Sequence, residues 1–247
     1  MIFLDGTVSV LLLDIEGTTT PLSFVADTLF PYARTHIRAF LSAHGALSDV
    51  QSDLALLHNE RDDDISRGLQ PPPLDGGPDT PLSVVPYLNW LMDQDRKSTG
   101  LKALQGKVWQ KGYHSGQLRS SVFTDVAPAF IRWRGLGKRI CIYSSGSVLA
   151  QRLLFGHTEE GDLTRYIDAY FDTTIGAKVD TASYTRIAAE LELPSSAVVF
   201  FSDMVGEVDA AQSAGMQTIC LDRPGNRPLP SPIRHSVIHS FEEIALV

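Results

Sequence analysis

Four short runs of consecutive apolar residues stand out along this chain. They lack the polar alternation of half-exposed strands, which is typical of parallel strands covered by helices on both faces. A helical pattern of apolar residues precedes the third run, and an alanine-rich segment that ends at Gly215 precedes the fourth. The pattern predicts an α/β fold, a Rossmann-like parallel sheet with helices on both faces. The runs are Val10–Leu13, Ile140–Tyr143, Val198–Phe201 and Thr218–Leu221.

Between residues 22 and 121 the pattern becomes helical. Ala33, Ile37, Phe40 and Leu41 lie on one helical stripe, whereas Ser66–Pro81 is too rich in proline and glycine for regular structure. The predicted organisation is therefore a catalytic core of residues 1–21 and 122–247, interrupted by a helical domain of residues 22–121.

Composition narrows the classes of partner. The net charge is −8 and the pI about 5.3, which disfavours binding to nucleic acid or to an anionic membrane. No window holds about 20 apolar residues, the length that a membrane-spanning helix needs. Two cysteines do not make a disulfide framework and suit a reducing compartment. No apolar repeat suggests an oligomer, so we expect a cytoplasmic monomer that acts on a small molecule.

Polar residues follow three of the predicted strands directly. Asp14 and Glu16 follow the first, the turn Ser144–Ser147 follows the second, and Asp203 follows the third after Ser202. Because the carboxyl ends of parallel strands share one edge of the sheet, where ligands bind, we expect these groups to converge.

The converging groups suit the binding of a phosphate ester. Asp14 and Asp203 supply hard oxygen ligands for Mg²⁺, which keeps waters and binds phosphate oxygens. The serine-rich turn offers hydroxyl and N–H donors to an anion, and Lys178 could add a cation at the same edge. Asp14 could then attack phosphorus, while Glu16, two residues on and pointing the same way in an extended segment, could shuttle a proton.

Each element also has a simpler interpretation when it is taken alone. An Asp and a Gly after a strand often form only a turn, and serines and Asp203 could be helix N-caps. His235 and His239 have the i, i+4 spacing of a helical metal site, but two prolines in their segment favour a loop and a short strand.

In combination these residues resemble the haloacid dehalogenase-like phosphatases. The residue two after Asp14 is Asp in most of that superfamily and Glu16 here, and this departure, with longer stretches, is similar to the enolase-phosphatase (acireductone synthase) family of methionine salvage. The resembling stretches are DIEGTTTPLSFVADTLFPYAR, WQKGYHSGQLRSSVFTDVAPAFIRW, IYSSGSVLAQRLLFGHTEEGDL, FDTTIGAKVDTASYTRIA, FFSDMVGEVDAA and LDRPGN.

The resemblance implies a two-step reaction, in which 2,3-diketo-5-methylthiopentyl 1-phosphate is first enolised and then dephosphorylated to the acireductone. It implies one Mg²⁺ per chain and a helical cap that closes over the substrate. It assigns catalysis to Asp14, Glu16 and Lys178; metal binding to Asp14, Asp203 and the Glu16 carbonyl; phosphate and substrate contacts to Ser144, Ser145, Lys178 and Phe24; and outer-shell support of the metal to Glu207.

Two other functions stay open at this point. One is a plain Mg²⁺-dependent phosphatase of the same superfamily that acts on another small phosphate ester. The other is a binding scaffold without activity, although such a scaffold would need a damaged site, and Asp14, Glu16, Lys178 and Asp203 are all present.

Overall fold

The computed structural model describes residues 1–4, 6–77 and 80–246 of the chain. It divides into two compact units, one formed by Met1–Ala26 with Arg119–Val247 and the other by Asp27–Leu118. The domain boundaries predicted from the sequence lie at 21/22 and 121/122.

The second unit is helical. Its four named helices are α1 (Phe30–His44), α2 (Ser48–Ser66), α3 (Val85–Asp93) and α4 (Thr99–His114), counted within the described ranges. The predicted stripe of Ala33, Ile37, Phe40 and Leu41 is the buried side of α1, as its apolar spacing requires. A six-residue π-helix, Phe24–Leu29, precedes α1.

A parallel sheet forms the centre of the first unit. Over the described residues it has six strands in the order β4-β3-β2-β5-β6-β7, and every neighbouring pair is parallel. The strands of the chain are β1 (Ile2–Leu4), β2 (Val10–Leu13), β3 (Arg139–Tyr143), β4 (Ala169–Phe171), β5 (Val198–Ser202), β6 (Gln217–Leu221), β7 (Val237–Ile238) and β8 (Ile244–Leu246). Strands β1 and β8 pair with each other outside this sheet.

Helices cover both faces of the sheet, as predicted. On one face Tyr184 and Ile187 pack in a core cluster with Leu12 and Phe200. On the other face Trp133 stacks on Phe201, with 6.1 Å between the ring centroids. The helices of this unit are α5 (Val126–Gly135), α6 (Val148–Gly156), α7 (Thr181–Glu190) and α8 (Val205–Ser213).

The α/β fold class and the four predicted strands are confirmed. Strand β7 lies between His235 and His239, in the segment predicted to form a loop and a short strand. Strand β4 was not predicted, because it is short and only its last residue is buried, and β1 and β8 were not predicted either. Within the described ranges, no helix combines the length and the apolar character needed to cross a bilayer.

Candidate active site

Asp14 lies at the carboxyl end of β2, in the middle of the sheet. Its backbone N–H donates to the Phe201 carbonyl at 3.0 Å, which continues the pairing with β5. Its side chain accepts a 2.7 Å hydrogen bond from the Ile15 N–H and is almost fully buried. A buried carboxylate needs such donors and a nearby cation.

The chain turns back immediately after Asp14. Gly17 has a φ of +67°, which favours glycine, and its N–H donates to the Thr20 carbonyl at 2.8 Å. Three consecutive N–H groups, those of Thr18, Thr19 and Thr20, point to the Ile15 carbonyl. We call Asp14–Thr20 the nucleophile loop. Within this loop the Glu16 side chain is exposed whereas Asp14 is buried.

Lys178 binds Asp14 directly. Its Nζ lies 2.6 Å from Asp14 Oδ1 and 2.6 Å from Glu207 Oε2. Burial alone favours the neutral amine, but these two carboxylates outweigh it and raise the pKa of Lys178. The Lys178 carbonyl accepts a 2.6 Å hydrogen bond from Tyr184. The lysine predicted from an otherwise weak signal is therefore a fixed cation beside Asp14.

The Ser202 hydroxyl contacts both Glu207 and Asp14. Its hydroxyl lies 2.8 Å from Glu207 Oε2 and 3.4 Å from Asp14 Oδ2, and it accepts from the Met204 N–H at 3.1 Å. Burial, and then the charge of Asp14, raise the pKa of Glu207 to about 7. Glu207 was expected to support the metal from its outer shell; in the structure it contacts Lys178 and Ser202 directly.

Asp203 lies against the nucleophile loop. A Cβ added to Gly17 would stand only 2.5 Å from Asp203 Oδ2, so the glycine leaves room for this carboxylate. Burial, and then the charge of Asp14, raise the pKa of Asp203 to about 7. A divalent cation bound beside Asp203 would stabilise its charged form, and two neighbouring carboxylates are a donor set that suits such a cation.

The donor set fits Mg²⁺ rather than a metal held by many side chains. Among the described residues, no three His, Cys, Asp or Glu side chains form a group that could hold a metal ion. Mg²⁺ needs no such group, because it is commonly held by one or two carboxylates, with waters and substrate oxygens completing its shell.

The serine turn follows β3, the neighbour of β2. Ser144 is buried and its Oγ accepts from the Gly146 N–H at 3.2 Å, whereas Ser145 is exposed. Ser147 caps α6 by accepting from the Ala150 N–H. The turn thus places hydroxyl and N–H donors beside the strand that carries Asp14.

Phe24 is a buried residue of the π-helix. The contacts described for the chain do not join it to the acidic cluster. His235 and His239 flank β7 rather than a helix turn, and they contact Asp209 and the Asp222 carbonyl, respectively. They do not form the helical metal pair that their spacing allows.

Two residues of the loop after β6 contact the nucleophile loop and were not singled out from the sequence. Asn226 donates to the Gly17 carbonyl at 2.9 Å, and Arg223 donates to the Thr18 carbonyl at 3.1 Å. Both residues could have been predicted from the rule applied to the other strands, because polar residues that follow a parallel strand lie at the edge of the sheet where ligands bind.

Comparison with known proteins identifies the family. A family model described as haloacid dehalogenase-like hydrolase matches residues 8–215. A protein named enolase-phosphatase E1 from Synechococcus elongatus is 48% identical, over 98% of this chain and 99% of its own. One of the same name from Sorangium cellulosum is 47% identical, over 95% of this chain and 96% of its own.

Solved structures agree with this assignment. The crystal structure of the UTR4 protein from Saccharomyces cerevisiae has a TM-score of 0.78 and 36% sequence identity, and covers 96% of this chain and 99% of its own. A dehalogenase structure at 16% identity, with a TM-score of 0.54, supports the fold alone. The chain belongs to the haloacid dehalogenase-like hydrolases and, within them, to the enolase-phosphatase E1 family.

Proposed function

We propose that this chain is a bifunctional enolase-phosphatase of methionine salvage. It converts 2,3-diketo-5-methylthiopentyl 1-phosphate to the acireductone, 1,2-dihydroxy-3-keto-5-methylthiopentene, and phosphate. The observation that carries the proposal is the Lys178–Asp14 contact of 2.6 Å at the carboxyl edge of the sheet. The near full-length similarity to enolase-phosphatases E1 supports the choice of substrate.

One Mg²⁺ would be held by the carboxylates of Asp14 and Asp203 and by the main-chain carbonyl of Glu16. When it is bound, the ion supplies positive charge that stabilises negative charge developing on substrate oxygens. Asp203 is suited to this role because burial and Asp14 raise its pKa, so that it gains from a nearby cation. Lys178 already neutralises part of the charge of Asp14 and Glu207.

Asp14 acts as the nucleophile of the phosphatase step. Its carboxylate oxygen bonds to phosphorus while the bond between phosphorus and the leaving oxygen breaks, which gives an aspartyl-phosphate. Water then attacks phosphorus, which releases phosphate and regenerates Asp14. Lys178 offsets the charge repulsion between the Asp14 carboxylate and the incoming phosphate. The Ile15 N–H holds Asp14 Oδ1 in place.

Glu16 moves the protons. Its side chain is exposed and lies on the nucleophile loop two residues after Asp14, where it would reach a bound substrate. In the enolase step it would take the proton from the carbon beside the diketone. In the phosphatase step it would protonate the leaving oxygen and later deprotonate the attacking water. The Glu side chain is longer than that of Asp, which suits a residue that acts both at the carbon of the enolase step and at the leaving oxygen of the phosphatase step.

The remaining contacts bind the substrate. Ser144, Ser145 and Lys178 would hold the phosphate oxygens, and Phe24 would contact the apolar methylthio end. The helical domain of residues 22–121 would act as the cap domain of the family, and residues 1–21 and 122–247 as the catalytic core.

We also propose that the enzyme works as a monomer in the cytoplasm. Cys141 and Cys220 are both buried free thiols, which is compatible with a reducing compartment. Sedimentation of the purified protein tests the first part, since a dimer would sediment as a particle of twice the 27.0 kDa chain mass.

A single assay tests the proposed function. The purified protein is mixed with Mg²⁺ and the diketone phosphate, and the ultraviolet absorbance of the enol and the released phosphate are followed together. The proposal predicts both signals, and their loss after removal of divalent metal with a chelator. Phosphate release without any enol signal, from this ester or from others in a panel, would favour a plain phosphatase instead.

A further inference from the structure

The nucleophile loop is held from outside by two side chains of the loop that follows β6. Asn226 Nδ2 donates to the Gly17 carbonyl at 2.9 Å, and Arg223 Nε donates to the Thr18 carbonyl at 3.1 Å. These two carbonyls are consecutive in the sequence. A pair of donors on neighbouring peptides fixes both the position of the loop and the rotation of its peptide planes.

Arg223 is itself buried and held by several contacts. Its Nη1 lies 2.8 Å from Asp125 Oδ2 and 3.1 Å from the His239 carbonyl. Its guanidinium also contacts two aromatic rings, with Cζ 4.5 Å from the centroid of Phe123 and 4.7 Å from that of Phe241. Its side chain is 3% exposed. A buried planar group held through Nη1 and packed against two rings offers its Nε donor in a restricted direction.

The partner Asp125 is anchored in the same way. Its Oδ2 also accepts from the Phe241 N–H at 2.6 Å and from the Ser240 hydroxyl at 2.9 Å. Buried ion pairs of this kind often contribute little net stability compared with apolar residues of the same size. The bond from Arg223 to the Thr18 carbonyl therefore points to a role beyond stability.

Asn226 acts at the most crowded point of the loop. Its Nδ2 also faces the Leu221 carbonyl at 3.4 Å, so two carbonyl acceptors determine the orientation of the amide. A Cβ added to Gly17 would lie 2.5 Å from Asp203 Oδ2 and 2.9 Å from Asn226 Oδ1. Gly17 is therefore confined between the two side chains, and a shift of its peptide would change the approach of the loop to Asp203.

We propose that Arg223 and Asn226 are positioning residues for the reaction. They act by donating to the backbone carbonyls of Gly17 and Thr18, and the position of these two peptides sets the place of Asp14 and Glu16 relative to Asp203. The inference takes its substrate from the proposed function, and it takes the roles of Arg223 and Asn226 from the geometry of the loop.

The test compares Asn226→Ala and Arg223→Lys with the wild type. Asn226→Ala removes the bond to Gly17, and Arg223→Lys keeps a positive charge for Asp125 but removes the planar Nε donor. Asn59→Ala is the matched control, because Asn59 is an exposed residue on α2. For each protein kcat and KM are measured with the diketone phosphate and with p-nitrophenyl phosphate, and the thermal unfolding midpoint is recorded at the same pH.

We expect kcat to fall about 10- to 100-fold in both variants, the usual cost of removing a group that orients a catalytic residue. KM should stay within about twofold, and Asn59→Ala should match the wild type. The assays are run well below each unfolding midpoint, so that a loss of folded protein does not lower kcat.

Two results would overturn the inference. A lower unfolding midpoint with an unchanged kcat would make the contacts purely structural. A raised KM with an unchanged kcat would make the two residues part of substrate binding. The p-nitrophenyl phosphate arm keeps the test separate from the proposed function: if the wild type hydrolyses this ester but not the diketone phosphate, the substrate assignment fails while the positioning test proceeds.

Discussion

Lys178 Nζ lies 2.6 Å from Asp14 Oδ1, although 163 residues separate the two in the chain. Asp14 directly follows β2, and the loop before α7 carries Lys178, so the topology of the sheet brings them together. The pair is buried, which strengthens the electrostatic effect of each group on the other. The nucleophile of the proposed mechanism therefore has its counter-charge built into the fold.

The first prediction concerns that counter-charge. Lys178→Met should lower kcat for phosphate release about 10²- to 10³-fold, because Asp14 and the phosphate then repel each other without a nearby ammonium. The measurement is steady-state phosphate release with saturating Mg²⁺. Lys97→Met, at an exposed position, is the control and should retain wild-type kcat. A Lys178→Met enzyme with near wild-type kcat would remove the lysine from the mechanism.

A second prediction separates backbone strain from crowding at Gly17. Gly17→Ala and Gly137→Ala both place a side chain at positive φ, +67° and +72°, and each should lose about 1–2 kcal/mol of unfolding free energy. A Cβ at Gly137 meets no atom within 4 Å, whereas one at Gly17 meets the Asp203 carboxylate. Only Gly17→Ala should therefore lose activity.

Denaturant unfolding and phosphate release, measured on the same preparations, check this pair of variants. Gly17→Ala should also need more Mg²⁺ for half-maximal activity, because Asp203 is displaced. Equal activity of the two variants would show that the space beside Gly17 has no part in the reaction.

The third prediction addresses the proton shuttle. Glu16→Gln should abolish the rise in enol absorbance and lower phosphate release about 10²- to 10⁴-fold, since the amide can neither accept nor donate the proton in question. Glu160→Gln, an exposed residue, serves as the control. If Glu16→Gln still formed the enol at the wild-type rate, another residue would be the base of the enolase step.

The sequence predicts the centre of the sheet well because the central strands are buried on both faces. Val10–Leu13 is fully buried and forms an uninterrupted apolar run, so the sequence predicts both the strand and the residue at which it ends. Asp14 and Asp203 were predicted as site residues because each comes just after such a run. The peripheral strand Ala169–Phe171 is only half-buried and leaves no comparable signal.

Other parts of the site depend on tertiary contacts that no local pattern encodes. Arg223 lies in the segment LDRPGN, whose Pro and Gly indicate a turn, and its neighbours Phe123 and Phe241 come from distant parts of the chain. Glu16 is exposed and Asp14 is buried although one residue separates them, and the i, i+2 spacing alone does not predict this difference in burial.

The most direct test of the mechanism is to trap the covalent intermediate on Asp14. The wild type is mixed with the diketone phosphate and Mg²⁺, quenched during turnover and reduced with borohydride, which converts an acyl phosphate to the alcohol. Mass spectrometry of the peptide that contains residue 14 should then find homoserine at that position, and Asp14→Asn should show neither this product nor phosphate release. Turnover at the full rate with residue 14 unmodified, or with another residue modified, would contradict the account.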